Sequence, residues 1–331
     1  MTISMTVIGA GAWGTALALA WARKGLKVTL IGRNEDVLNQ ISKGKHHKIG
    51  EINTPSNLQF STDISLVKHA DIVVLATPAQ SFNSLAKGLS PILPEETPLV
   101  ITAKGIDLET QSLLSDCLSR LLPNRPMLCL SGPSFAVDVA ADLPTAVTLA
   151  AKNLDFAQNW AENLSTSKLR CYASDDLNGV QLGGALKNVL AIAAGIVEGF
   201  GLGESAKAAI ITRAFVEMQR YANHFGANAQ TLFGLSGLGD LILTSSSLKS
   251  RNFAYGYSLG QAAKNREALP APQGTVEGIA TTKVVYALSN KDQIDMPIAH
   301  AIYDCVHKGV DIAQSIDNLL ARPVKKELDI F

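Results

Sequence analysis

The sequence predicts an α/β doubly wound sheet domain followed by an all-α domain. Three observations carry this. A glycine-rich turn, Gly9-Ala-Gly11-Ala-Trp13-Gly14, stands between a short apolar strand and an apolar helix. Strand-like apolar runs then recur as far as residue 172. Beyond Asn178 the strands cease, and residues 178–203 open a helical second half. The shift in composition across residues 173–178 sets the expected boundary, giving domains 1–176 and 177–331. A chain of 331 residues exceeds what one core usually supports, in keeping with two domains.

Each element has a local reason. Residues 6–8 form a short buried strand running into the glycine turn, and an apolar helix over 15–23, closed by Gly25, follows. This is G-x-G-x-x-G in the setting it requires, strand before and helix after, the mark of a Rossmann-type nucleotide site. Its glycines permit the tight turn and let a pyrophosphate approach the N–H groups at the helix start. A second strand over 27–31 ends in Gly32-Arg33-Asn34. NAD-binding chains often carry an acid there for the ribose 2′-hydroxyl. Here an arginine suited to a 2′-phosphate stands instead, although Glu35 and Asp36 follow closely. Arg33 therefore predicts that NADPH is accepted.

Further strands are expected over 71–76, 98–102, 127–130, 145–150 and 169–172, with a helix over 155–163. In such sheets ligands lie beyond the carboxyl ends of the strands. Lys104, Gly132 and Ser134 follow strand ends and become candidate ligand contacts. For Lys104 a solvated loop lysine is the plain alternative.

In the second half, residues 180–200 are apolar on nearly every side, as a buried helix is. Asn178 with Gln181 reads as its cap, and Gly199, Gly201 and Gly203 as its stop. Lys187 lies inside this run, beside Asn188. Its helical neighbours are Gly183, Gly184 and Ala191, a nearly bare face that a ligand could approach closely. The plain alternative is a snorkelling lysine, with glycines that merely admit another helix. A buried ammonium is costly, so its presence points to function. Helices are expected over 205–225, 275–288, 297–307 and 312–320. Two stretches read as loops. One is the glycine-rich 235–241, which contains Asp240. The other is the polar 245–252, whose Ser250, Arg251 and Asn252 suit phosphate and hydroxyl groups. Glu277 stands near a helix start, where the dipole favours an acid in any case.

Composition excludes several classes. Lys and Arg balance Asp and Glu at 29 each, which argues against a nucleic-acid or membrane-surface partner. No run is long and charge-free enough for a bilayer span. The amino terminus lacks the basic start of a signal peptide, and the tail KKELDIF is no familiar targeting signal. Cys117, Cys129, Cys171 and Cys305 show neither zinc nor redox spacing, and His224, His300 and His307 are isolated, so no metal is expected. Reduced thiols point to a cytoplasmic protein.

Taken together, the motifs resemble the bacterial NAD(P)-dependent sn-glycerol-3-phosphate dehydrogenases. The matching stretches are GAGAWGTALA at 9–18, TAKGI at 102–106, LSGPSFA at 130–136, GGALKNVLAIAAGI at 183–196, GLGDL at 237–241, SRN at 250–252 and VEG at 276–278. They cover almost the whole chain in the family's order. The resemblance implies a 6-phosphogluconate-dehydrogenase-like helical domain. It also implies reversible reduction of dihydroxyacetone phosphate by NADPH or NADH to sn-glycerol 3-phosphate, which would feed glycerophospholipid synthesis. Carried over, Lys187 is the general acid/base. Lys104, Gly132, Ser134, Asp240, Ser250, Arg251 and Asn252 border the substrate with it. Gly9, Gly11, Ala12, Trp13, Gly14, Arg33, Ala136, Val276 and Glu277 border the cofactor, together with Lys104 and Arg251. Ala12 departs from a more usual serine, and His46 and His47 lie in a loop that the family uses near the cofactor. A homodimer is implied as well.

Two other classes stay open on the residues alone. One is a β-hydroxyacid dehydrogenase, which shares the architecture and a catalytic lysine but acts on a carboxylate. The other is a module that binds NAD(P)H to sense redox state and would need neither Lys187 nor a phosphate pocket.

Overall fold

A computed structural model describes residues 2–324 and 327; of the tail KKELDIF, only Glu327 falls among them. The chain divides into two compact units. One comprises residues 1–103 and 114–177, the other 104–113 and 178–331.

The first unit starts with β1 (Ser4–Ile8), α1 (Ala12–Arg23), β2 (Lys27–Ile31) and α2 (Glu35–Ser42). A small hairpin of β3 (Lys45–His46) and β4 (Gly50–Glu51) precedes β5 (Leu58–Ser61). Then follow β6 (Ile72–Leu75), α3 (Phe82–Leu89), β7 (Leu99–Ile101), α4 (Leu114–Leu121), β8 (Met127–Ser131) and α5 (Ala136–Ala140). β9 (Thr145–Ala150), α6 (Leu154–Leu164) and β10 (Leu169–Ser174) complete it. The main sheet has the order β10-β9-β8-β7-β6-β1-β2-β5, and its neighbours are parallel except β8 and β9. The chain winds outward from β1 through β2 to β5, then restarts at β6 on the other side of β1. That reversal makes a crevice at the carboxyl ends of β1 and β6, where doubly wound sheets take their ligands.

Burial on both faces explains why the central strands read as unbroken apolar runs: all four residues of β6 and all three of β7 are buried. α1 is buried along most of its length, and its Trp21 Nε1–H donates to the carbonyl of Leu164 at the end of α6. The edge strand β5 and the short helices α2, α3 and α4 escape the sequence reading. α3 and α4 do carry helical spacing, at Phe82, Leu85, Ala86 and Leu89 and at Leu114, Cys117, Leu118 and Leu121, but over only two turns each.

The second unit opens with α7 (Leu177–Phe200), then α8 (Glu204–His224) and α9 (Ala229–Leu232). One wide turn, Leu235–Gly239, leads into α10 (Asp240–Ser245). α11 (Arg251–Asn265), α12 (Glu277–Lys291), α13 (Pro297–Tyr303) and α14 (Ile312–Leu320) follow. α7 is long and apolar enough to cross a membrane, which the sequence reading denied to every stretch, but its apolar window is wholly buried within the protein. It starts one residue before Asn178, so Asn178 lies in its first turn rather than capping it. Gly201, at φ +83°, ends it, with N–H groups of residues 201 and 202 turned back onto the carbonyl of Val197.

Of the two expected loops one is helical, whereas the other remains a loop over residues 246–250. Residues 235–241 are a wide turn and the start of α10, and the polar 245–252 is a short link into α11. Glycine and serine content conceals both helices. The segment 104–113, expected in the sheet domain, belongs with the helical unit. Its Ile106 and Leu113 pair across a β-bridge and join the helical core.

Candidate active site

In the first unit, the three glycines of the turn serve three distinct ends. Gly9 has φ +119°, and a Cβ there would meet the carbonyl oxygen of Ala76 at 2.6 Å. Gly11 stands at the cap of α1, where a Cβ would meet nothing within 4 Å, and no side chain caps the helix. A Cβ at Gly14 would come within 2.0 Å of the Gly9 carbonyl, so only glycine lets α1 press onto the turn. The result is an uncapped helix start facing open space, which suits a diphosphate.

Ala12 and Trp13 begin α1. Arg33 is exposed just past β2, after Gly32, whose own Cβ would lie 2.8 Å from that of Ala10 in the turn. Glu35 and Asp36 lie in the first turn of α2, capped by Asn34, where the helix dipole accounts for them. The strand end itself carries no acid. Gly132 follows β8 with φ +152° and packs against Val147, Ser134 Oγ donates to the Gly132 carbonyl, and Ala136 begins α5. Trp13 Nε1, Thr77 Oγ1 and Ser131 Oγ are buried here with no hydrogen-bond partner in the protein. Most buried polar atoms find a partner, so this group of unpaired ones beside the glycine turn is where a polar ligand would fit. His46 is stacked on His47, accepts from the Lys48 N–H at Nδ1, and is held below the usual histidine range chiefly by burial. These features fit a dinucleotide.

The second unit gathers the charged candidates. Lys187, 7% exposed in mid-α7, donates from Nζ to Asp240 Oδ1 at 2.9 Å and to Thr244 Oγ1 at 2.7 Å. Asp240 Oδ2 accepts from Lys104 Nζ at 2.6 Å, so one buried carboxylate bridges two ammonium groups. Burial, helped by the charge of Lys104, lowers the Lys187 pKa to about 8 against the pull of Asp240. Burial works against ionised Asp240 too, but the two lysines outweigh it and hold its pKa below the usual range.

Beside this cluster, Asn188 Nδ2 donates to Glu277 Oε2 and to the Lys104 carbonyl, each at 3.2 Å. Asn188 Oδ1 accepts from Asn252 Nδ2 at 2.9 Å, and Asn252 Oδ1 accepts from the Gly278 N–H at 2.9 Å. Burial raises the pKa of Glu277, opposed by Arg251, Lys187 and Lys104. Ser250 caps α11 by accepting from the Phe253 N–H, and exposed Arg251 is its first residue. Val276 precedes α12 at the cap position, and Glu277 begins the helix.

Lys104, Lys187, Asp240, Ser250, Arg251, Asn252, Val276 and Glu277 therefore fall in the helical unit. Gly9, Gly11, Ala12, Trp13, Gly14, Arg33, Gly132, Ser134 and Ala136 fall in the sheet unit. Sequence reasoning missed Thr244 and left Asn188 without a role. Thr244 becomes visible once Asp240 is known to start a helix, because it lies one turn on, on the same face. One expectation is corrected. Gly183 does not leave room for a ligand, since a Cβ there would meet the Ser236 carbonyl at 2.5 Å. It admits the backbone of the turn that carries Asp240.

The chemistry available is an ammonium of lowered pKa, held by a carboxylate and a hydroxyl, with an arginine and a helix start nearby. Among the described residues no three His, Cys, Asp or Glu side chains converge as metal ligands.

Known proteins resemble the chain over nearly its whole length. The family model described as NAD-dependent glycerol-3-phosphate dehydrogenase N-terminus matches residues 4–157, and its C-terminus counterpart matches 176–317. The chain is 46% identical to glycerol-3-phosphate dehydrogenase (NAD(P)+) of Mesorhizobium japonicum, covering 98% of this chain and 93% of that one. It is 43% identical to the enzyme of that name from Rhizobium etli strain CIAT 652, over 99% of this chain and all of the other. A crystal structure of glycerol-3-phosphate dehydrogenase from Coxiella burnetii superposes with a TM-score of 0.89 at 36% identity, covering 97% and 99% of the two chains.

Proposed function

Because the chain belongs to the NAD-dependent glycerol-3-phosphate dehydrogenase family, we propose that its reduction of dihydroxyacetone phosphate turns on Lys187 as the proton donor. The activity is NAD(P)H-dependent and yields glycerol 3-phosphate. The two rival classes fall away, since relatives matched over nearly the full length are dehydrogenases of a phosphate ester.

When held at the glycine turn, a nicotinamide would supply the hydride for the carbonyl carbon. The residues of this chain handle everything else. Charge develops on the ketone oxygen as the carbon is reduced, and Lys187 gives it a proton from Nζ. Its pKa near 8 leaves it charged at neutral pH yet ready to part with the proton. Asp240 and Thr244 fix the ammonium in direction, and Asp240 keeps it charged. After transfer, Thr244 Oγ1 can turn its hydrogen toward the neutral amine. Arg251 and the start of α11 take the phosphate, so that binding energy remote from the reacting carbon orients the ketone. Gly132 and Ser134 complete the proposed substrate contacts, and Ala136, Val276 and Glu277 the cofactor contacts. Lys104 is assigned to both ligands, and its first duty is to hold Asp240.

The observation that carries this reading is the buried ammonium bridged to Asp240. Lys187→Ala is expected to lower kcat by about 10²–10⁴-fold, with NADPH affinity, read by fluorescence, unchanged. Near-normal turnover would end the proposal. Arg33 supports use of NADPH. Four buried cysteines, none in a disulfide, suit a reducing cytoplasm. Exposed Phe233, Ile242 and Leu248 offer apolar surface for a homodimer.

A further inference from the structure

α7 and α11 touch backbone to backbone. A Cβ at Gly256 would lie 2.1 Å from the Ile192 carbonyl oxygen, and one at Gly260 2.3 Å from that of Ile196. From the other side, Cβ atoms at Gly195 and Gly199 would lie 2.2 and 2.0 Å from the carbonyl oxygens of Phe253 and Tyr257. The pairs advance in the same direction on both helices, so the two run parallel. Asn188, Ile192 and Ile196 stand opposite Asn252, Gly256 and Gly260, one turn apart on each helix. At the head of this ladder Asn188 and Asn252 are hydrogen-bonded to each other, and Asn252 also holds the Gly278 N–H. Stepping back one residue on each helix sets Lys187 level with Arg251.

We propose that the α7–α11 glycine contact is a length gauge for the substrate, with Gly256 and Gly195 as its positioning residues. It fixes the span between the ammonium that protonates the ketone oxygen and the arginine that takes the phosphate. Small residues packed in register are the one arrangement that permits this approach, and any side chain between the helices drives them apart. A Cβ at Gly256 must move from 2.1 Å to ordinary contact at 3.4 Å or beyond, which displaces the head of α11 by more than 1 Å from α7. The gauge rests on the phosphate role proposed for Arg251.

The test is Gly256→Ala, assayed with dihydroxyacetone phosphate, with dihydroxyacetone, and with two phosphonates: the isostere of the substrate and its homologue one methylene longer. A 1 Å misplacement predicts a loss on the order of 10²-fold in kcat/KM for dihydroxyacetone phosphate, borne mainly by KM. Dihydroxyacetone, which does not span the gauge, should lose less than about threefold, and preference between the phosphonates should move about tenfold toward the longer one. Equal losses on phosphorylated and unphosphorylated ketones, or an unmoved length preference, overturn the gauge. Arg251→Ala is assayed alongside. Equal losses there refute the phosphate role itself, whereas a selective loss there with none in Gly256→Ala refutes the gauge alone. If Gly256→Ala does not fold, Gly260→Ala, one turn further from the site, carries the same test with smaller shifts of the same sign; its melt and NADPH binding establish that it is folded.

Discussion

Asp240→Asn isolates what the buried carboxylate does for Lys187. The substitution keeps the shape and removes the charge that sits 2.9 Å from the lysine nitrogen. At that distance and an effective dielectric of about 20, two unit charges attract by roughly 6 kcal/mol, enough for several pKa units at about 1.4 kcal/mol each. The amide oxygen still accepts a hydrogen bond and the surroundings relax, so the expected fall is smaller, about two units. Repulsion from Lys104 remains and acts in the same direction. In the wild type, reduction requires the charged ammonium and should decline as pH rises through about 8. In the variant this midpoint should sit near 6, by the two-unit fall just estimated. The assay is the initial rate of dihydroxyacetone phosphate reduction at saturating NADPH from about pH 5 to 9, a range that brackets both midpoints. A midpoint that stays within about half a unit of the wild type would refute the claim that Asp240 sets the protonation of Lys187.

Arg33→Ala should cut kcat/KM with NADPH by about tenfold, as expected for one lost charge-assisted contact, and leave that with NADH nearly unchanged. An unaltered cofactor ratio removes the 2′-phosphate role. Glu217 tests stability rather than chemistry. Its buried carboxylate accepts from the N–H groups of Ile298 and Ala299 at 2.7 and 3.1 Å, holding the start of α13 from α8, with Arg220 and Asp295 nearby. Burial pushes its pKa up to about 8, so between its ordinary value and 8 the folded protein holds a proton that the unfolded chain has lost. Stability should therefore fall as pH rises through that window. Glu217→Gln, which cannot ionise, should flatten the Tm profile between about pH 5 and 8; parallel profiles would show that Glu217 does not titrate there.

The sequence made the glycine turn legible because backbone demands are local: only glycine fits at Gly9 and Gly14, and the flanking apolar runs announce strand and helix. Lys187 was legible for a related reason, as a charge stranded in an apolar helix. What escaped was relational. That Asp240 joins Lys187 to Lys104 depends on a turn and a helix that glycines and serines disguise. Thr244 is a face-mate of Asp240 only once α10 exists. Gly183 reads as empty space because sequence cannot say that the backbone of Ser236 fills it. The glycines of α11 carry no apolar pattern, so sequence alone does not mark them as the partner ridge to α7.

The ten residues from Lys104 to Leu113 leave one body of the molecule, anchor in the other, and return. Three junctions rather than one therefore tie the halves together, at 103/104, 113/114 and 177/178. A ribosome releasing the chain in order presents Lys104 long before Asp240, its counter-ion, has been made, and Ile106 and Leu113 wait for core neighbours that begin only at Leu182. Severing the thread near residue 177 would strand this excursion with no dock. Lys104 and Lys187 can be joined only after Asp240 has been made, more than a hundred residues after Lys104.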